Sequence, residues 1–469
     1  MSGINEATVL PRVMIAAPSG RSGKTVVSLG LMRALRRCGL EVQPFKKGPD
    51  FIDPGWHAAA AGRTGRNLDR FFMPPDLLRH VLREASAGAD VCVIEAAMGF
   101  YDGLDAQGST SSAEIAKATG TPVILVLDVT RMTRTAGAVV MGMRDFDPDV
   151  RIAGVILNKV RGERQRSLVS EVIERMCGVP VVGAVSKDGC MGVPDRHLGL
   201  VTSAEAADRE RMLDGMAAHV ERCVDMDAVL SIARSASPVT GGAQGAPIAL
   251  DGCRAVTRAA IGVMRDEAFS FYYPENLEAL ERAGAQLVFV DSMRDAMLPG
   301  NLDGLYIGGG FPEEFACRLA ANADMRVSVR ERIEGGMPVF AECGGLLYLG
   351  RTLTYRGRTH SMVGALGFDS VMCDAQRAHG YARGVATGAG WLSAGTVLIG
   401  HEHHHSTVVD LDPDSTFALS NERGRGVTGG CDGVCRKNVI AGYLHVNALA
   451  SPDWAPSFVD AAARFHAAR

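Results

Sequence analysis

The length, composition and charge of the chain limit the classes of protein to which it can belong. The chain has 469 residues, of which 47% are hydrophobic and 22% charged, and its formal net charge is -4 at pH 7. Because a single hydrophobic core rarely grows beyond roughly 300 residues, we expect two domains. The charge gives no basis for nucleic-acid binding, and no apolar run approaches the roughly 18 residues of a transmembrane helix. Since a signal-peptide pattern is absent and the eleven cysteines are scattered, we expect a cytoplasmic protein with no membrane and no nucleic-acid partner.

The first half of the chain alternates short apolar segments with helical patterns. Because these segments are bounded by turn residues, we predict strands there. The predicted strands are 13–17, 41–45, 91–95, 122–128 and 153–158. A helix is predicted over 25–38, with Gly39 at its carboxyl end. Repetition of strand, helix and strand indicates an α/β fold with a parallel sheet covered on both faces.

The periodicity is lost over residues 234–258, where Gly, Ser and Pro accumulate. We interpret this segment as a linker between domains over 1–233 and 259–469. A second alternating α/β region follows the linker, and its end is richer in β patterns. Its predicted strands are 259–264, 286–290, 304–309 and 337–341.

A phosphate-binding loop is predicted in APSGRSGKTVVSLG, directly after the first strand. Gly20 and Gly23 would let backbone N–H groups surround phosphate oxygens, Lys24 would reach the outer phosphates, and Thr25 could ligate magnesium. Pro18 stands where the first glycine of the usual motif falls. The alternative is a glycine-rich turn that binds no nucleotide, but a strand before it and a helix after it favour ATP and Mg²⁺.

Charged residues follow the second strand in FKKGPDFIDPGWH. Ligands of open parallel sheets bind at the carboxyl ends of the strands, so Lys46, Lys47, Asp50 and Asp53 are expected to face the phosphate loop. Two carboxylates beside two lysines suit magnesium and phosphate, and we assign catalytic roles to Asp50 and Asp53. A solvated charged turn is the alternative.

Three further polar residues stand at or just beyond predicted strand ends. Glu95 ends a strand and Asp102 follows in IEAAMGFYDG, where they could complete a magnesium site or orient an acceptor; surface carboxylates are the alternative. Asn158 ends the strand in ILNKV, where an amide could read adenine, although Asn also commonly terminates strands.

A cysteine nucleophile is predicted in PVFAECGGLLYL, residues 338–349. Cys343 lies on a strand–turn–helix elbow, which exposes a nucleophile above the sheet, and Gly344 can supply a backbone N–H. The helix dipole and a nearby histidine are expected to lower the pKa of the thiol. The glycine loop in YIGGGFPEEF could complete an oxyanion hole, and His445 in AGYLHVNAL could act as base. Taken singly, Cys343 could be a buried thiol and His445 a structural histidine.

Two other segments raise the question of a metal. GHEHHHS contains His401, His404 and His405, but its neighbours predict a strand, in which alternate residues face opposite sides. Metal ligands, a polar wall beside substrate or glutamine, and a structural role all stay open. Cys431 and Cys435 are a close pair, but no second pair at zinc spacing accompanies them.

These motifs together make the chain similar to the glutamine-dependent cobyrinate a,c-diamide synthase family. The resemblance extends from about residue 12 to the end of the chain. It covers the phosphate loop, FKKGPDFIDP, RNLD (66–69), MGFYDG, GGGFPEEF, ECGGLLYL, GHEHHHS and YLHVNALASPDWAP. It implies a first domain that resembles dethiobiotin synthetase and a second domain of the triad-type glutamine amidotransferase class with an atypical third triad member.

The resemblance also implies a reaction. Cys343 would attack glutamine, His445 would shuttle protons, and Gly310 and Gly344 would hold the oxyanion. The first domain would use ATP and magnesium, held by Thr25, Asp50 and Glu95, to phosphorylate a tetrapyrrole carboxylate. Ammonia would then displace phosphate at the a and c acetates. Lys47, Asp102 and His401 are assigned to substrate contacts, and we expect a homodimer.

The exact tetrapyrrole stays open at this point. DVTRMTRTAG (128–137), FKKGPDFIDPGW and SPDWAP are closer to relatives that amidate siroheme or nickel-sirohydrochlorin. An alternative of another class is a partitioning-type P-loop ATPase switch fused to an inactive amidotransferase-like module. Such switches usually carry a second lysine near the place of Ser19, which disfavours this alternative.

Overall fold

A computed structural model gives the architecture of the chain. It describes residues 9–186, 195–196, 199–200, 208–240 and 258–469. The chain divides into two compact units, Met1–Ala246 and Pro247–Arg469. Residues 241–257 of the predicted linker lie outside the described residues, and the domain boundaries at 233 and 259 stay predictions. None of the described helices is long and apolar enough to cross a membrane.

The first unit is built on a seven-stranded parallel sheet. Its strands are β1 (Arg12–Ala16), β2 (Val42–Lys47), β3 (Arg66–Leu68), β4 (Val91–Glu95), β5 (Val123–Asp128), β6 (Ile152–Val160) and β7 (Val181–Ser186). The strand order is β3-β2-β4-β1-β5-β6-β7, and every neighbouring pair is parallel. All residues of β1 and β4 are buried, as expected for central strands of a sheet covered on both faces.

Helices alternate with these strands. They are α1 (Lys24–Arg37), α2 (Ile52–Ala61), α3 (Pro75–Ala85), α4 (Ser112–Thr119), α5 (Arg134–Asp145) and α6 (Glu163–Cys177). A short antiparallel pair, β8 (Asp195–Arg196) and β9 (Gly199–Leu200), precedes α7 (Arg209–Cys223) and α8 (Met226–Arg234). The predicted strands and helix of this half are confirmed to within two residues, while β3 and β7 were not predicted.

The second unit contains a ten-stranded mixed sheet and a smaller four-stranded sheet. Its first elements are β10 (Ala259–Met264), β11 (Phe269–Phe271), α9 (Pro274–Arg282), β12 (Ala285–Val290), β13 (Gly304–Ile307), β14 (Gly309–Gly310), α10 (Ala316–Ala321), α11 (Ala323–Glu334), β15 (Val339–Glu342) and α12 (Gly344–Leu349). The remaining elements are β16 (Thr352–Tyr355), β17 (Arg358–Ser361), β18 (Asp369–Met372), β19 (Ala378–Ala386), β20 (Val397–His404), β21 (Ser406–Val409), β22 (Thr416–Arg423), β23 (Cys431–Arg436), β24 (Val439–Gly442), β25 (His445–Val446) and α13 (Trp454–Ala467).

The large sheet brings two distant segments of the chain to one edge. Its order is β12-β10-β13-β15-β24-β23-β22-β19-β20-β25. The first five strands are parallel, and the pairs from β24 onward are antiparallel. Glu342 at the end of β15 pairs with Gly442 at the end of β24. Cys343 and the segment that leads to His445 therefore leave the sheet at the same edge.

Candidate active site

The phosphate loop of the first unit joins β1 to α1 and has the conformation that its glycines allow. Gly23 has a φ of 92°, and a Cβ at this position would lie 2.1 Å from Asn158 Nδ2, so no larger residue fits. Lys24 Nζ donates hydrogen bonds to the carbonyls of Met98 (2.6 Å) and Ser19 (3.1 Å). Burial and the charge of Lys46 lower the pKa of Lys24 to about 8. Gly20 is exposed on the same loop, as an open phosphate site requires.

A buried ionic network lies beside this loop and is centred on Glu95. Glu95 Oε1 accepts hydrogen bonds from Thr25 Oγ1 (2.6 Å) and Lys46 Nζ (2.8 Å), and Oε2 lies 2.6 Å from His57 Nε2. Burial alone would raise the pKa of Glu95, but the charge of Lys46 and the hydrogen bond with His57 hold it well below its ordinary value. Glu95 is therefore an anion whose two oxygens are both oriented by neighbours.

His57 is a member of this network that the sequence analysis missed. It is fully buried on α2, one helical turn after Asp53. Residues four apart on a helix share a face, so the signal was the spacing between Asp53, which was assigned to the site, and His57.

The two predicted aspartates occupy different environments. Asp53 Oδ2 lies 2.5 Å from Lys46 Nζ and so belongs to the buried network. Asp50 Oδ1 accepts hydrogen bonds from the backbone N–H groups of Ile52 (2.9 Å) and Asp53 (3.0 Å), which places it at the amino end of α2. Burial and the charge of Asp53 raise the pKa of Asp50 to about 6. The predicted convergence of Lys46, Asp53 and Glu95 beside Thr25 is present in the structure.

The remaining predicted residues of this unit lie at the same edge of the sheet. Lys47 is buried at the end of β2, and burial lowers its pKa. Asp102 is exposed and accepts a hydrogen bond from the Gly99 N–H (3.0 Å). Asn158 donates to the Ser22 carbonyl (2.9 Å) and accepts from the Lys159 N–H (2.9 Å), so its amide supports the phosphate loop. Their contacts with substrate or adenine stay predictions.

The donor set beside the loop fits magnesium. Thr25, Asp50, Asp53 and Glu95 offer hydroxyl and carboxylate oxygens, which are the ligands that Mg²⁺ prefers. Among the described residues, no group of three or more His, Cys, Asp or Glu is arranged to hold a metal by itself. A Mg²⁺ site of the usual kind would use one or two of these carboxylates together with substrate phosphates and water.

The second unit contains the predicted nucleophile elbow. Cys343 has φ 45° and ψ −95° between β15 and α12, a backbone conformation that non-glycine residues rarely adopt. Its N–H donates to the Gly442 carbonyl at 2.7 Å, which fixes the elbow on the β15–β24 pair. Strain of this kind is typical of a functional turn.

Two expectations about the Cys343 thiol are wrong for this structure. The side chain is buried, with 7% of its surface exposed, and does not stand free above the sheet. Burial and the charges of Glu313 and Glu342 raise the pKa of the thiol well above its ordinary value, whereas a lowered pKa was expected. The six-residue helix α12 and the neighbouring histidine do not compensate for this burial.

His445 lies in the same buried region and carries a neutral imidazole. It pairs with His401 across β20 and β25, and the two rings stack with centroids 4.9 Å apart. His401 Nδ1 lies 3.2 Å from Tyr273 Oη. Burial lowers the pKa of His445 to about 3, so its imidazole is unprotonated at neutral pH. His401 therefore packs directly against His445.

A carboxylic acid adjacent to the nucleophile lies against His445 and was not assigned from the sequence. Glu342 Oε2 is 3.9 Å from His445 Nδ1 and accepts a hydrogen bond from Tyr306 Oη at 3.0 Å. Glu342 Oε1 accepts from the Val446 N–H at 2.8 Å. Burial raises the pKa of Glu342 to about 8. Glu342 stands where a third triad member would be expected.

Glycine loops bring two backbone segments beside Cys343 and His445. A Cβ on Gly309 would lie 2.4 Å from His445 Cε1, so the histidine requires glycine there. A Cβ on Gly344 would lie 3.1 Å from the Gly310 nitrogen, which places the backbones of the two predicted oxyanion residues side by side. This arrangement suits stabilisation of a developing oxyanion by backbone N–H groups.

The histidine-rich segment is a strand, as predicted. His404 stacks on Tyr443 with centroids 3.6 Å apart, and burial lowers its pKa to about 4. His405 Nδ1 lies 3.2 Å from the Asp374 carbonyl. No metal cluster occurs in the part of the chain that the structure describes, whether in this segment or around Cys431 and Cys435. The polar wall beside substrate or glutamine stays a prediction for His401, and the stacking on Tyr443 gives His404 a packing contact.

The fold and the two sites define a P-loop nucleotide-binding unit carried in one chain with a glutamine amidotransferase unit. Residues 13–197 match the CobQ/CobB/MinD/ParA nucleotide binding domain, and residues 260–453 match the CobB/CobQ-like glutamine amidotransferase domain. Both matches agree with the fold class predicted from the sequence.

Full-length relatives identify the family. A cobyrinate a,c-diamide synthase of Magnetococcus marinus is 41% identical over 453 residues, which cover 95% of this chain and 96% of that protein. One of Archaeoglobus fulgidus is 42% identical over 452 residues, which cover 96% of this chain and 97% of that protein. The chain belongs to the cobyrinate a,c-diamide synthase family, and the predicted resemblance is confirmed. Similarity through both units favours an amidoligase over an ATPase switch with an inactive module.

Proposed function

We propose that the chain amidates the a and c acetate side chains of cobyrinate, with ATP to activate each carboxylate and glutamine to supply ammonia. The observation that carries this proposal is the match with diamide synthases over both units in a chain that has a phosphate loop and a strained cysteine elbow. A carboxylate is a poor electrophile, so phosphorylation is needed to give it a leaving group before ammonia attacks.

In the glutaminase half-reaction, Cys343 Sγ attacks the side-chain amide carbon of glutamine. The thiol proton moves to His445 during the attack, because burial keeps the resting thiol protonated and the imidazole neutral. His445 then gives this proton to the leaving amine, which departs as ammonia and leaves a thioester on Cys343. Gly310 and Gly344 N–H groups hold the oxyanion, and water releases glutamate.

Glu342 is the residue that orients the His445 ring in this mechanism. Its Oε2 faces Nδ1 at 3.9 Å, while contacts from Tyr306 and the Val446 N–H fix the carboxyl group. In its ionised form, Glu342 favours the tautomer of His445 that carries its proton on Nδ1, which leaves Nε2 to accept the thiol proton.

In the synthetase half-reaction, Lys24 neutralises the transferring phosphoryl group and the network around Glu95 supports it. Thr25, Glu95 and Asp50 would hold magnesium, which when bound supplies positive charge for the nucleotide phosphates. Lys46 and His57 keep Glu95 ionised and oriented. Ammonia displaces phosphate from the activated acetate and yields the amide.

Contacts with the acceptor and the assembly state are parts of the same proposal. Lys47 and Asp102 lie at the sheet edge that carries the phosphate loop, where an acceptor carboxylate must arrive. His401 forms the wall beside the glutaminase base. The expected homodimer stays a prediction.

The proposal is tested by incubating the full-length protein with cobyrinate, ATP, magnesium and glutamine. Mass spectrometry and anion-exchange chromatography should detect a product in which two carboxylates have become amides. ADP and glutamate should form in proportion to the amides. Siroheme and nickel-sirohydrochlorin in parallel incubations decide between tetrapyrroles. ATP hydrolysis with no amide product on any acceptor would contradict the proposal and support the ATPase-switch alternative.

A further inference from the structure

Met98 lies beside the phosphate loop with its side chain in solvent. Its φ of 54° is a left-handed conformation, and 61% of its surface is exposed. Its carbonyl accepts the hydrogen bond from Lys24 Nζ at 2.6 Å. The next residue, Gly99, approaches the phosphate loop so closely that a Cβ there would lie 2.8 Å from the Pro18 carbonyl oxygen. Backbone contacts therefore hold Met98 at the loop, and its side chain takes no part in them.

The side chain itself contributes little to the core. The left-handed backbone of Met98 costs free energy, and the packing of its exposed side chain does not offset this cost. Backbone strain of this kind concentrates at functional sites. Methionine is flexible and polarisable, which makes it an adaptable contact for apolar ligands. An apolar ligand at Met98 would lie next to the ammonium group of Lys24, which is predicted to contact the nucleotide phosphates.

We propose that the Met98 side chain contacts the apolar macrocycle of the tetrapyrrole while one acetate of the ring extends toward Lys24. This inference rests on the proposed function, in which the acceptor carboxylate approaches this lysine together with the phosphates of ATP. An acetate arm has a single methylene, so the ring edge must come close to the residues that surround the phosphoryl group. Met98 then acts as a specificity residue that positions the acceptor by dispersion contacts with the ring.

Substitutions at Met98 that retain the same backbone strain test this role. Met98→Gln is nearly isosteric and polar, Met98→Ala removes the contact, and Met98→Leu keeps an apolar surface. We expect the KM for cobyrinate to rise about threefold to tenfold in the Gln and Ala variants, since these variants lose the apolar surface that the bound ring would cover. The Leu variant should stay near wild type. In all three, kcat, the KM for ATP and glutamine hydrolysis should change little. The matched control is Met176→Gln, which makes the same substitution at an exposed methionine on α6.

The outcomes separate this inference from the proposed function. An unchanged KM for cobyrinate in both Met98→Gln and Met98→Ala overturns the inference. A rise in the KM for ATP or a fall in kcat of the same size also overturns it, because Met98 would then act on the phosphate loop. If the wild-type protein amidates no tetrapyrrole, the proposed function fails first. Absorbance titration of wild type and Met98→Gln with cobyrinate then decides whether the ring contact exists, and equal affinities overturn it.

Discussion

Removal of Lys46 tests the buried network that supports the phosphate site. Lys46 Nζ lies 2.5 Å from Asp53 Oδ2 and 2.8 Å from Glu95 Oε1, and only 6% of the lysine side chain is exposed. Lys46→Met leaves the buried carboxylate of Glu95 and the partly buried carboxylate of Asp53 without their shared cation. Because breaking a buried ion pair costs about 3–5 kcal/mol, we expect the free energy of unfolding to fall by about 3 kcal/mol or more, and amidation to be lost.

A matched control variant shows whether the loss of stability comes from the burial of the ion pair or from the loss of a lysine charge alone. Lys159 Nζ lies 2.6 Å from Asp128 Oδ2 in a partly exposed pair of the same unit. Since such pairs contribute about 0–1 kcal/mol, Lys159→Met should change stability little. The double variant Lys46→Met/Glu95→Gln removes both charges and should be less destabilised than the sum of the single variants. Unfolding in denaturant at neutral pH measures all of these variants.

The difference in unfolding free energy between wild type and Lys46→Met should depend on pH, and the direction of this dependence can be predicted. Because the pKa of Glu95 is held well below its ordinary value, its ionised form stabilises the folded state above about pH 4.3, the unfolded pKa. That contribution is lost as pH falls through the native pKa, so the gap between wild type and Lys46→Met should narrow on acidification. Equal effects of Lys46→Met and Lys159→Met, or a gap that is constant with pH, would refute the reasoning.

Three further predictions concern single steps of the reaction. Lys24→Ala should abolish amidation while glutamine hydrolysis persists, and normal amidation by this variant would exclude the phosphate loop from the mechanism. Asp50→Asn and Asp53→Asn should each lower the amidation rate more than tenfold in a folded protein; unchanged rates at saturating magnesium would contradict these roles. Glu342→Gln should lower glutamine-dependent kcat about tenfold or more, since His445 loses its orienting acid, and should spare ammonium-driven amidation. An equal loss of amidation with glutamine and with ammonium would mean that Glu342 supports the fold and does not orient His445.

The sequence predicted those parts of the fold that repeat with a clear period. Strands such as β4 (Val91–Glu95) and β10 (Ala259–Met264) are short apolar runs between turns, so their bounds could be predicted to the residue. The antiparallel strands at the end of the second unit carry polar residues and glycines, and their partners are distant in the chain. Only a general β content could be predicted for them.

The site was predictable where a local motif carries the chemistry. Cys343 and its glycines form such a motif, and so do Lys24 and Thr25. Glu342 was missed because its partner, the Val446 N–H, lies 104 positions away in the chain. The raised pKa of the Cys343 thiol was also missed, because it depends on burial that only tertiary packing creates.

The central claim is that Cys343 only liberates ammonia, while the first unit activates the acceptor. Amidation of cobyrinate by Cys343→Ser, measured with glutamine and separately with ammonium chloride at high pH, tests it most directly. A serine hydroxyl on the same elbow is much harder to ionise than a thiol, so the glutamine-dependent rate should fall by several orders of magnitude. The ammonium-dependent rate should stay near wild type. Loss of both activities in a folded variant, or retention of both, would contradict this division of labour.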